Sequence, residues 1–213
     1  MARMISVLLV VFCASSVFAQ TAPSEAPDSL WVIGDQVMAA LGRGDVGSVA
    51  EMLHYPSSYS KEEKATDAAG VKDALEFLLT KLGALQGFER FIGDAVWYEV
   101  TLSGGDIGYW ESLSPLNTVD LAYRGNFGKF GGGMVSVSFF ETSSGMDIRA
   151  VIVRVDPSVQ GARETVIDMF VELIQRQAKK TGEPVPDNLR EIVSASVPDL
   201  SAVDQRSQDQ PSD

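Results

Sequence analysis

Cysteine and histidine are nearly missing from this sequence: one of each in 213 residues, Cys13 and His54. Cys13 falls in a segment expected to be removed, so no disulfide holds the fold and packing must do so alone. A cysteine nucleophile and a thiolate metal site are excluded with it. One histidine leaves no His-x-x-x-His or His-x-x-Glu-His spacing, so no metal is expected. Basic residues are scarce too: 17 Lys and Arg against 29 Asp and Glu give a net charge of -12. A surface this acidic repels phosphate backbones, and no basic stripe interrupts it, so nucleic acid is not an expected partner. No cofactor signature is present either. Gly131-Gly132-Gly133 lacks a following Lys-Ser/Thr and opens a strand, which rules out a phosphate loop. Arg43-Gly44-Asp45 spells an adhesion tripeptide, but Gly-Asp is explained by one helix ending and the next starting. There is no internal repeat.

What is present begins with an export signal. Arg3 forms a short basic region, Ile5 to Phe12 an apolar one, and Val17-Phe18-Ala19 supplies small residues for cleavage after Ala19. The apolar run is broken by Ser15 and Ser16 and is short for a membrane span. The expected organisation is a signal peptide over 1–19, a loose leader over 20–27, one domain over 28–182 and a disordered, acidic, Pro-containing tail over 183–213, in which Leu189 to Val193 can form a transient turn. The exported chain is expected in the periplasm or outside the cell, with no membrane attachment once the signal is removed.

Within the domain, Leu30, Ile33, Val37 and Leu41 fall at helical spacing, with Asp28 or Ser29 as the start and Gly42 and Gly44 as the end. Asp45 caps a short second helix to about Leu53. Ser60 and Glu63 match a capping box, and Val71, Leu75, Leu78 and Leu82 make the stripe of a third helix ending at Gly83. Alternation then takes over. Val96, Tyr98, Val100 and Leu102 oppose Ala95, Trp97, Glu99 and Thr101, and Val119, Leu121 and Tyr123 oppose Asp120, Ala122 and Arg124. Residues 107–118 read as a connection, and the glycine-rich 125–133 as a turn or bulge. Gly133 to Val155 is the strongest β signal, two runs joined at Thr142-Ser143-Ser144-Gly145 as an antiparallel hairpin. Its Val135, Val137 and Phe139 should meet the helices, leaving Met134, Ser136, Ser138 and Phe140 for water, a partner or the last helix. That helix is expected over 159–180. The fold class is α+β: three N-terminal helices on a curved four-stranded antiparallel sheet, plus a C-terminal helix.

The run VIGDQVMAALGRGDVGSVAEMLHYP, with its Gly44-Asp45 step and its end at Leu53-His54-Tyr55-Pro56, resembles the opening of NTF2-like (SnoaL-like, cystatin-related cone) domains. The resemblance covers about residues 28–155. It implies a cavity between helices and sheet, and no single activity, since such domains include isomerases, hydrolases, dehydratases and non-catalytic binding or dimerising modules. The helix over 159–180 departs from that plan.

The candidate chemistry is spread over the chain. His54 is either a general base at the cavity mouth or a helix-ending residue bonded to backbone. Asp94, Glu99, Asp120 and Asp147 lie in or beside strands, and Glu99, sharing a face with Trp97, is the best carboxylate candidate for a base. Tyr55, Trp97, Tyr98, Tyr109 and Trp110 are candidate ligand contacts, as they are candidate core. Arg149 or Arg154 on the last strand is placed to meet an anionic ligand or a buried acid. Three readings follow: a non-catalytic domain that binds a small apolar or amphipathic molecule or a protein partner, an isomerase- or hydrolase-type enzyme using His54 or Glu99, and a structural homodimer formed through the sheet.

Overall fold

The computed structural model describes residues 26–92, 97–105, 107–113 and 117–200. The segment expected to be a signal peptide, with Cys13, most of the expected leader, Asp94, Ala95, Val96 and residues 201–213 lie outside the described residues. The described elements are helices α1 (Asp28–Gly42), α2 (Val46–Met52) and α3 (Lys61–Leu82), strands β1 (Leu85–Phe91) and β2 (Tyr98–Ser103), helix α4 (Ile107–Ser112), strands β3 (Thr118–Phe127), β4 (Gly131–Thr142) and β5 (Gly145–Val155), and helices α5 (Ala162–Thr181) and α6 (Leu189–Ser196). The class is α+β, and the sheet is antiparallel throughout, in the order β1-β3-β4-β5-β2.

Local chemistry explains most of these boundaries. Ser60 and Glu63 form the reciprocal capping box that starts α3. Asp45 caps α2 by accepting from the Ser48 amide. Gly182, in the left-handed conformation, ends α5 just after Lys179 and Lys180, whose charges suit a helix C-terminus. The expected side-chain cap on α1 is not used. Asp28 is its first helical residue, and Pro27 precedes it.

Four features depart from the expected plan. The sheet has five described strands rather than four, because 85–91 is an edge strand. Its Gln86 to Arg90 are exposed, so it carries no alternation to read. The connection 107–118 contains α4, too short to show a helical period. Residues 125–127 and 131–133 belong to strands. Gly133 is needed there because a methyl group would run into the Phe127 ring, which lies flat on the strand. Finally, the chain after 182 is not all tail. Leu189, Val193 and Val197 join the core, and the Arg163 guanidinium holds the end of α6 through the Ser194 and Val197 carbonyls.

The core fills the space between the helices and one face of the sheet. Val37, Leu41, Val49, Leu75 and Leu78 meet Leu102, Leu121, Val137, Phe139 and Val151 in one buried cluster. α5 contributes Val166, Ile167 and Phe170 to the same cluster and is tied to α3 by the Lys81–Glu172 and Lys180–Asp73 ion pairs. The last helix therefore packs on the helical side and leaves the Ser-bearing face alone. That face is nevertheless closed, with Ser136 and Ser138 only 0% and 4% exposed. The Arg154 guanidinium reaches across it to donate to the Ser136 hydroxyl.

Candidate functional site

β2 stops at Ser103, opposite Ala150, which leaves the edge of β5 open before that point. Unpaired strand edges need partners, and the chain leaving α2 supplies one. Leu53 bridges Ile148 in parallel, and the His54 amide donates to the Ile148 carbonyl at 2.8 Å. Pro56 keeps Tyr55 extended. The result sets the His54 ring against Phe140, centroids 4.9 Å apart, and beside Asp147, which faces Phe140 in the β4–β5 register.

Both ring nitrogens of His54 are engaged. Nδ1 lies 3.0 Å from Asp147 Oδ2, and Nε2 lies 2.8 Å from the Tyr109 hydroxyl. An ionised carboxylate only accepts, so in the neutral ring Nδ1–H donates to Asp147 and Nε2 accepts the Tyr109 proton. The side chains of His54 and Asp147 are 22% and 42% exposed, which puts this chain of bonds at the protein boundary. Partial burial, and then the charge of Asp147, push the Tyr109 phenol above its ordinary pKa, so it stays neutral and is a poor nucleophile.

α4 is fixed above this corner. The Trp110 indole N–H donates to the Gly104 carbonyl at 2.8 Å. The ring meets Phe140 edge-on at 5.1 Å and Tyr109 at 4.9 Å. Gly104 allows the approach, since a side chain there would strike the His54 carbonyl and the Tyr55 ring. The buried Asp67 carboxylate of α3 accepts the Gly105 amide at 2.7 Å and pins the loop. On the other side, the register shifts between Ser138 and Phe139, so that Ala150 and Ile148 are paired and Arg149 is skipped. Bulges redirect side chains, and the Arg149 guanidinium sits over the Trp110 ring, 5.4 Å from its centroid.

The structure thus brings His54, Tyr109, Trp110 and Arg149 together. Asp147 joins them at His54, while the other described sequence candidates lie outside this set of contacts. Glu99 accepts from Arg154 Nε at 3.2 Å further along the sheet. Tyr98 is buried, its hydroxyl donating to the Pro198 carbonyl and accepting from the Leu200 amide. Tyr55 donates to the Ala50 carbonyl at 2.7 Å, and burial pushes its phenol pKa up. The Trp97 indole nitrogen is buried with no hydrogen-bond partner, as is one Asp120 oxygen. Sequence reasoning named Asp147 among four carboxylates without linking it to His54, and did not place Phe140 at a site. The separation of 93 positions along the chain between Asp147 and His54 explains the first omission. Their proximity follows from the β5 edge pairing, which no local pattern encodes.

A concavity of about 920 Å³ lies between α3, α5 and residues 183–186, away from the His54 corner. Phe77 forms part of it, between the cations of Lys81 and Arg176. Its charges are largely spent on each other through Glu172 and Asp73. Among the described residues no group of three or more His, Cys, Asp or Glu could hold a metal ion, and no described helix is long and apolar enough to cross a membrane. No family model, no curated protein and no solved structure matches the chain.

Proposed function

We propose that the chain is an exported, non-catalytic domain of the NTF2-like kind that binds a small apolar or amphipathic molecule at the His54 corner. One observation carries this reading: the corner joins aromatic rings to half-exposed polar tips, and the two leading candidate bases, His54 and Glu99, are already engaged inside the chain. His54 is held between Asp147 and Tyr109, Tyr109 is kept neutral, and Glu99 is held by Arg154. Such a site offers contact and orientation, which is what binding requires. Export is supported by Arg3, the Ile5–Phe12 run and the Val17-Phe18-Ala19 site. A homodimer through the sheet has less support, because the exposed large apolar side chains among the described residues are Val32, Phe88, Ile92 and Ile192, none of them on β3, β4 or β5. The test is a titration of the full chain with decanol, benzamide and benzoate, followed through the NMR signals of the single imidazole. Saturable shifts with at least one probe support the reading. Flat titrations with all three overturn it.

One observation favours a second reading. A carboxylate on Nδ1 is the arrangement that orients a histidine as a general base. A ligand displacing Tyr109 from Nε2 would meet that base. Exchange of the α-protons of a ketone probe in D2O, falling at least tenfold in Asp147→Asn, would establish it. Exchange at the rate of buffer alone would remove it.

A further inference from the structure

Arg149 differs from most other arginines of the described chain in what it touches. Arg90 and Arg190 end on carboxylates, Arg154 and Arg176 on glutamates, and Arg163 on backbone carbonyls. Arg149 has the Trp110 face and no hydrogen-bonded acid or carbonyl. It is only half-buried. Its position is built rather than incidental. The bulge turns it out of the ladder. Trp110 cannot tilt away, because its N–H is tied to Gly104 and its edge is packed on Phe140. Stacking on an indole holds the guanidinium plane and leaves its N–H edge open. In a chain of net charge -12, an arginine that pairs with no carboxylate among the described residues is suited to an outside anion. Asp147, two residues before it on β5, is already engaged by His54.

We propose that the ligand of the His54 corner is a small organic carboxylate, its head group taken in two parallel hydrogen bonds by Arg149 and its apolar part set against Tyr109. This rests on the binding reading above and names its ligand class. A planar carboxylate matches the guanidinium fork, and a charge-assisted pair of bonds is stronger than any contact a neutral head group could make there.

The test uses benzoate and its neutral isostere benzamide on the full chain, at constant ionic strength, with His54 ring signals as the readout. Benzoate is expected to bind at least tenfold more tightly than benzamide. Arg149→Gln should weaken benzoate at least tenfold and leave benzamide unchanged. Arg149→Lys, which keeps the charge and loses the fork, should fall between. Wild-type-like His54 signals in the free variants show that the corner is still folded. If instead signals move in the free Arg149→Gln chain, the Arg149→Lys comparison decides, and equal benzoate affinity in Lys variant and wild type overturns the fork. Equal binding of benzoate and benzamide, or benzoate binding that survives Arg149→Gln, overturns the carboxylate assignment alone. No binding by benzoate, benzamide or decanol overturns this inference together with the reading beneath it.

Discussion

The two faces of the sheet are built on opposite principles. On the helix-covered face, Val100, Leu121, Val137 and Val153 join residues of α1, α2, α3 and α5 in one apolar cluster. On the other face a row of cross-strand neighbours runs Glu89, Arg124, Met134, Arg154, Glu99 across all five strands. The same face carries the buried Ser136 and Ser138 and, at its Phe140 end, the His54 corner. The first face is held by dispersion and burial, which are indifferent to direction. The second buries apolar groups as well, among them Ala122, Phe140 and Ile152, but adds hydrogen bonds and charge pairs, which are directional and leave specific groups aimed at specific places. Stability is concentrated on one side of the sheet, and the groups able to recognise a ligand on the other.

That division can be broken or sharpened by substitution. The largest effect belongs to the covered face. Phe139→Ala removes a fully buried ring and should cost about 3–5 kcal/mol in urea unfolding. A cost under about 1 kcal/mol would mean the helices do not depend on that face. Next comes the charged row. Glu99→Gln strands a guanidinium whose side chain is only 11% exposed, and about 2 kcal/mol is expected, below the range for fully buried pairs. A double-mutant cycle with Arg154→Met should show coupling between the two. If the single variants simply add, the row is decoration on a packed surface. Away from both faces, Ser60→Ala removes the α3 capping box and should cost about 1 kcal/mol, while leaving His54 signals unmoved.

The smallest effect is a pH dependence. Burial raises the Tyr109 phenol above the unperturbed value of 10.0 in the folded state. The unfolded chain then ionises first, so the stabilisation is complete below pH 10 and falls as pH rises above it. Tyr55 and Tyr123 shift the same way for the same reason. Unfolding free energies measured from pH 8 to 11 should therefore decline at the alkaline end, and Tyr109→Phe should lessen the decline. A profile equally steep in the variant would place Tyr109 in solvent and undo the corner.

The contrast between the faces also explains what could be read from residues alone. The apolar stripes of α1 and α3 and the alternation of Val135, Val137 and Phe139 are periodic because they meet the same core, so they were legible. So were the Ser60–Glu63 box and the Thr142–Gly145 turn, whose chemistry is local. β1 was hidden because an edge strand with exposed Gln86 to Arg90 need not alternate. α6 was legible only as a transient turn at Leu189 to Val193, because these few apolar anchors sit in a proline-containing polar stretch. At the corner, His54, Tyr109, Trp110 and Arg149 could each be singled out by residue type. Their meeting could not, because it depends on a strand ending one turn early, a bulge at Arg149 and a glycine at 104 that lets two loops touch. Directional contacts between distant segments leave no period in a sequence.

The single histidine makes the decisive measurement simple. Two-bond ¹H–¹⁵N correlation of the imidazole reports its tautomer and its surroundings without assignment of the rest of the chain. The account requires the Nδ1–H form, held by Asp147 and accepting from Tyr109, and a saturable movement of the Nε2 signal as benzoate is added. An Nε2–H ring that is blind to benzoate would contradict it.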